Sequence, residues 1–302
     1  AAGTPTITAG GDNTSTTFSG VIQNGSGTVS LTKSGTGTLT LSNNNTYTGA
    51  TTISAGTLTV SGTLADTTAV TVNTGTTYNV NASDTIGSLA GAGTVSTTST
   101  SVTRTLTSGG DNTSTTFSGV IQDNGTGLIA LTKSGSGTLT LSGNNSYTGA
   151  TTISGGTLAI TNANALGSTS GATTVSSGAA LSISGGITVA EPITIAGTGV
   201  SNGGALAFTG GDNTYSGAIS LAASTPLIKS TSGQQTISGT INGAQALTIT
   251  ATDNLTLSGT IGGNAPPTSL SVTTTCDTTC STASRTGVLA LNADVSTSGT
   301  QT

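Results

Sequence analysis

Short alternating stretches punctuate the chain. GTLTL at Gly37 to Leu41, GTLTV at Gly56 to Val60 and AVTVN at Ala69 to Asn73 each set Leu or Val against Thr. An apolar residue at every second position, bounded by Gly, Asn or Ser, predicts a short half-buried strand with one face inward. The stretches return about every 20 residues, the spacing of coils that stack strand upon strand. The expected fold is therefore all-β, a parallel solenoid with inward rows of Leu, Ile and Val and outward ladders of Thr and Ser. Some 13 to 15 coils would add about 4.8 Å each along the axis.

A longer period lies over the short one. GGDNTSTTFSGVIQ at Gly10 to Gln23 recurs unchanged at Gly109 to Gln122, and after one inserted residue, placed at Asp123, Leu31 to Val60 aligns with Leu131 to Ile160. A shorter echo, GGDNTYSGAISL, runs from Gly210 to Leu221. A sandwich or barrel could use the same short strands but would not require near-identity a hundred residues apart. The organisation expected is a continuous solenoid over 1–265, with units at about 10–108, 109–209 and 210–265. Residues 266–302 then form a C-terminal extension carrying a capping or exchanged strand. Pro266 and Pro267 lack ladder donors and are expected to end the regular stack.

The stretch from Gly35 to Val60, GTGTLTLSNNNTYTGATTISAGTLTV, and its counterpart from Gly135 to Ile160 resemble the autotransporter-associated β-strand repeat of passenger regions in large bacterial surface proteins. The likeness rests on GTLTLS, an Asn-rich turn with Tyr and Thr-Gly, and then TxIxxGTL. It implies a right-handed parallel β-helix (β-solenoid), secretion to a bacterial cell surface, and a structural or adhesive role.

Composition narrows the picture further. More than a third of the 302 residues are Ser or Thr, 46 are Gly, 5% are charged and 2% are aromatic. Abundant Thr, Val and Ile with a net charge of −5 favour strands over disorder. Ten acids against five basic residues leave no basic patch, so nucleic acid is not an expected partner. No apolar run reaches 18 residues, so no membrane-spanning helix is expected. The Ala1-Ala2 start matches a mature chain after leader removal, or equally a trimmed one.

Little in the chain reads as catalytic. It has no His, which removes Ser-His-Asp and Cys-His nucleophiles and His-ligated metals. Nine Asp and the single Glu191 are well separated in sequence, so paired carboxylates for cleaving a polysaccharide could arise only between adjacent coils. No cofactor and no resident metal are expected. The Gly-Gly-Asp-Asn-Thr elements with Asp12, Asp111 and Asp212 read as solenoid corners, with a calcium site as the sharper alternative. Asn43 to Asn45, Asn144 and Asn145 read as turn ladders with Tyr47 and Tyr147 covering the corner, the alternative being an aromatic ligand platform. Phe18 and Phe117 read as core or corner residues, and Lys33 and Lys133 as solvated charges that discourage sideways pairing.

Two features remain near the ends. Cys276 and Cys280 would stand roughly 13 Å apart in an extended strand, so joining them requires a turn. A disulfide there suits an oxidising compartment; free thiols or metal chemistry are the other options. Thr4, Thr6 and Ile7 at one end, and Val288, Leu289, Leu291 and Val295 at the other, lie in strand-like sequence suited to end-to-end contact between copies of the chain. The expected function is a non-catalytic surface scaffold or self-associating fibre subunit. Its rivals are an adhesin that binds a surface glycan or protein and, more remotely, a polysaccharide-active enzyme.

Overall fold

The computed structural model describes residues 3–222, 225–252, 254–274, 289–291 and 297, the strand at 289–291 by its backbone alone. The fold is an all-β parallel solenoid, and the chain divides into two compact units, Ala1–Thr151 and Thr152–Thr302.

In the first unit one sheet takes the strands Thr6–Ala9, Ser30–Lys33, Thr51–Ile53, Ala69–Val72, Ser88–Gly91, Thr115–Phe117 and Thr138–Leu141 in spatial order. A second takes Thr16–Phe18, Thr38–Leu41, Thr57–Val60, Thr77–Val80, Thr94–Ser96 and Val120–Ile121. A third begins with Asp84–Ile86, Thr103–Ser108 and Leu128–Lys133. In the second unit the longest sheet runs Thr157–Ile160, Ala180–Ser184, Leu206–Gly210, Leu227–Ser230, Ala246–Ala251 and Ser269–Thr274. Beside it lie a sheet from Thr173–Val175 to Ile241–Asn242 and another from Thr188–Val189 to Leu289–Leu291.

Register explains why so few residue types suffice. Leu39 stands on Leu58, Leu58 on Tyr78, Tyr78 on Val95 and Val95 on Ile121, steps of 19, 20, 17 and 26 residues. Each step keeps an apolar side chain over the one below, while Thr40 stands on Thr59 and Thr59 on Asn79 in the alternate row. The inward Leu41, Ile53, Leu58, Val60 and Val72 are fully buried. Burying such a side chain is worth about 1.5–3 kcal/mol, gained only when a neighbouring coil covers it.

The long repeat keeps its pairing but changes its face. Phe18 pairs with Leu41 on the second sheet, and its counterpart Phe117 pairs with Leu141 on the first. A hundred residues thus do not make a whole number of turns.

Two expectations need correction. The inserted residue is Asn124, because Asp123 does the work of Asn24. Asn24 Oδ1 accepts from the Val29 amide at 2.8 Å, and Asp123 Oδ1 accepts from the equivalent Ile129 amide at 2.6 Å. The extra residue sits in the turn closed by the bridge between Asn124 and Gly127. Nor do Pro266 and Pro267 end the stack. Ser269–Thr274 pairs in parallel with Ala246–Ala251, and Leu289–Leu291 with Leu255–Leu257. The prolines fall between strands, where no ladder donor is needed.

Candidate functional site

The first coil ends in an apolar mouth. Thr6–Ala9 pairs on one side with Ser30–Lys33 and is the last strand of its sheet; Thr16–Phe18 is likewise last in the second sheet. Between them lies a concavity of about 140 Å³ lined by Ile7, Ala9, Phe18 and Ile22, with Leu31, Leu39 and Leu41 behind. Ile7 is 42% exposed, Phe18 41% and Val21 45%.

The second copy of the same fourteen residues is a control on the first. There Phe117 and Ile121 are both fully buried. The strands Ser88–Gly91 and Thr94–Ser96 lie over them, Gly91 against Phe117 and Val95 against Ile121. Identical sequence is thus buried under a coil in one place and open in the other. Of the residues expected to make end contacts, Thr4 is exposed, and Thr6 and Ile7 lie in the edge strand Thr6–Ala9. Leu289 and Leu291 lie in the outermost strand of a sheet of the second unit, already paired on one side. Val288, Val295, Cys276 and Cys280 lie outside the described residues.

The Asp-Asn elements form corners. Asp12 accepts from the Thr14 amide at 3.2 Å and the Thr14 hydroxyl at 2.9 Å, and Asp111 holds Thr113 in the same way. Asn13 and Asn112 take left-handed backbone angles, φ 64° and 60°, and their side-chain oxygens accept from the amides of Thr36 and Ser136 on the next coil. Donation from Thr14 holds the Asp12 carboxyl below its ordinary range. For Asp111 burial pushes upward, but the Thr113 amide and the Ser88 and Thr113 hydroxyls outweigh it and the net shift is downward. The third element differs: Asp212 accepts from the Gln234 amide at 2.8 Å, while Asn213 turns inward. Among the described residues no three His, Cys, Asp or Glu side chains cluster so as to hold a metal ion.

The lysines are not solvated charges. Lys33 is fully buried and Lys133 is 1% exposed. Lys33 Nζ donates to the carbonyls of Ser34, Gly35 and Ala55, and Lys133 Nζ to those of Ser134 and Gly135. Each ammonium ties together the turn that follows its own strand. Burial lowers the Lys133 pKa to about 8, against which the carbonyls favour the charged form. Tyr47 and Tyr147 are fully buried and offer no platform; their hydroxyls bond those of Thr51 and Thr151. Burial pushes the Tyr47 hydroxyl up to about 12. Asn45 and Asn145 accept from the amides of Ile22 and Ile121 on the preceding coil.

Two inward carboxyls escaped the sequence reading. Asp84 is 6% exposed, and its Oδ2 accepts from the Leu64 amide at 3.0 Å. It shares a surface concavity of about 270 Å³ with Asp66 and the hydroxyl side chains Thr63, Ser83, Thr85, Thr105 and Thr107, so adjacent coils do bring two acids together. Burial raises Asp84 to about 7, helped by Asp66 and opposed by the Leu64 and Thr85 amides. Glu191 is 3% exposed and neither carboxyl oxygen finds a hydrogen-bond partner. Burial raises it to about 7, with the nearby Thr173 hydroxyl opposing. Parity could have found both: Asp84 precedes Ile86 by two residues, and Glu191 precedes Ile193 and Ile195 by two and four.

Three segments of the chain, 31–60, 131–160 and 201–223, match the family model of the passenger-associated-transport-repeat. The chain therefore carries an autotransporter passenger repeat, as the Gly35–Val60 and Gly135–Ile160 motifs anticipated, and the third segment covers the echo at Gly210–Leu221. No curated protein and no solved structure matches it.

Proposed function

We propose that the protein is a structural, non-catalytic element of a bacterial surface passenger, secreted to the cell exterior, and that it builds its scaffold by end-on stacking of solenoid coils between copies. The observation that carries the passenger reading is the match of 31–60, 131–160 and 201–223 to the passenger-associated-transport-repeat, and the contrast between Phe18 and the covered Phe117 supports joining by coil-on-coil stacking. The second copy of the repeat specifies what covers such a mouth: a parallel strand pair whose inward residues include Leu89 and Val95. Among the described residues no strand pairs with the outer edge of Thr6–Ala9 or Thr16–Phe18, which borders about 140 Å³ of apolar concavity, a surface suited to strand addition. Contact between unlike ends propagates as a filament when its rotation does not close on itself. The partner in this reading is another copy of the chain. Lys33, Lys133, Tyr47 and Tyr147 are committed to hydrogen bonds within the solenoid, which fits a scaffold. Among the described residues no helix is long and apolar enough to cross a membrane, which says nothing of a β-barrel.

Electron microscopy and sedimentation of the purified chain over a concentration series test the proposal. Rods that lengthen with concentration, and that Phe18→Asp reduces to single units, support it. Single short rods of fixed length at every concentration overturn it.

A further inference from the structure

Among the described residues two carboxylic acids are buried, Asp84 in the first unit and Glu191 in the second. We propose that these two groups make the solenoid a proton-controlled scaffold, most tightly held in acid and loosened as the medium turns neutral to alkaline.

The geometry around Glu191 fixes the acid in place. Tyr215 Oη donates to the Glu191 backbone carbonyl at 2.6 Å, and Gly217 packs so closely that a Cβ there would stand 2.0 Å from the same oxygen. The Thr173 amide donates to the carbonyl of the adjoining Pro192 at 3.0 Å. With its backbone pinned between two coils, the side chain stays inside, where the one donor near it, the Thr173 hydroxyl, favours the charged form but makes no well-formed hydrogen bond to either carboxyl oxygen. A neutral acid tolerates that environment better than a carboxylate with so little compensation. The titratable group facing Glu191 is Tyr215, whose hydroxyl is pushed upward first by burial and then by the acid.

Asp84 repeats the arrangement, with the Leu64 and Thr85 amides as donors to its carboxyl. The titratable groups facing it are Asp66, Tyr47 and Tyr78, each neutral or negative, and Tyr78 Oη is buried without a hydrogen bond. On the adjoining strand Leu106 pairs with Asp84, while Arg104 turns its Nε to Ser99 Oγ at 3.1 Å. No charge of opposite sign offsets either carboxylate among the groups that face it.

The direction follows from linkage. Folding raises Asp84 from its ordinary 3.8, and Glu191 from 4.5, to about 7. Between those values the folded chain holds a proton that the unfolded chain has released to solvent. The stability these two groups contribute is therefore fully present near or below their ordinary values and is lost as pH rises towards 7, while the lowered Asp12 and Asp111 act in the opposite sense only below their ordinary value of 3.8, outside that window. The unfolding constant rises by up to about tenfold per pH unit for each carboxyl inside that window.

Urea unfolding of the full chain at steps from pH 5 to pH 8 tests this, with Asp84→Asn, Glu191→Gln and the double variant alongside. The expected result is a wild-type midpoint that drops across the window, a smaller drop in each single variant, and a flat profile in the double variant. A wild-type profile that is flat or rising overturns the proposal, as does a double variant that keeps the full drop, since the drop then comes from general charge repulsion. Should an amide variant fail to fold, infrared spectra of the wild-type chain decide. A protonated carboxyl band present at pH 6 and lost by pH 8 supports the proposal; complete ionisation at pH 6 overturns it.

Discussion

Lys33 Nζ reaches the Ala55 carbonyl, 3.2 Å away and 22 positions along the chain, while also bonding the carbonyls of Ser34 and Gly35. One ammonium thus joins two successive corners. Lys33→Met keeps the apolar stem and removes the donors, leaving those three carbonyls without this partner. The expected cost is about 1–3 kcal/mol in urea unfolding. A solvated lysine would cost within about 0.5 kcal/mol, so the measured midpoint separates a corner tie from a surface charge.

Phe18 and Phe117 share their neighbours in sequence and differ in what lies above them. Truncating a buried phenylalanine costs about 3–5 kcal/mol, which is the expectation for Phe117→Ala. For the isolated chain, Phe18→Ala should cost about 1 kcal/mol or less, because the side chain is 41% exposed. If copies stack at this mouth, the Phe18→Ala penalty should grow with protein concentration and the Phe117→Ala penalty should not. Thermal unfolding at two concentrations a hundredfold apart reads both.

Much of the fold was legible because strand parity and repetition act locally. Leu39, Leu58 and Val70 announce their rows, and the coil step follows from their spacing. The face change between the two long repeats was not legible, since it depends on the third-sheet strands Asp84–Ile86 and Thr103–Ser108 that intervene between them. The polar lumen residues were misread for a different reason. Lys33 follows Leu31 by two positions and so points inward by the same parity that places the leucine. Residue type overrode position: a lysine was given to solvent although its long stem can carry the ammonium to the carbonyls of a turn. Asp84 and Glu191 were missed likewise. Thr6 and Ile7 do lie in a strand, as their alternating sequence suggests, whereas the exposure of Phe18 needed its buried twin for comparison.

The Tyr147 hydroxyl and the Thr151 hydroxyl lie 2.7 Å apart, and both residues are fully buried. Tyr147→Phe removes one partner of this pair and leaves the threonine hydroxyl to be satisfied elsewhere. A loss of about 1 kcal/mol is expected. Tyr147→Phe combined with Thr151→Val removes both polar groups together and should recover part of it. A double-mutant cycle in urea gives the coupling; additive effects would show that the two hydroxyls do not depend on each other.

Glycine at the corners answers two different demands, and two positions separate them. Gly75 has φ +78° and open space where a Cβ would stand. Gly35 has φ +66°, and a Cβ there would meet the Gly10 carbonyl oxygen of the preceding coil at 1.8 Å. Alanine at Gly75 therefore faces only the left-handed backbone cost, about 1–2 kcal/mol. Alanine at Gly35 faces that cost and must also push one coil off another, breaking the contact that carries stability in a solenoid. The expected loss is about 3 kcal/mol or more, in the range reserved for changes that disrupt packing. Gly135 has the same φ of +66° and a Cβ position 2.0 Å from the Gly109 carbonyl oxygen, so its alanine variant should match that of Gly35. Urea midpoints for the three variants decide it. Equal losses at Gly35 and Gly75 would mean that backbone angle alone selects glycine at these corners and that the coils can part by the needed distance at no further cost.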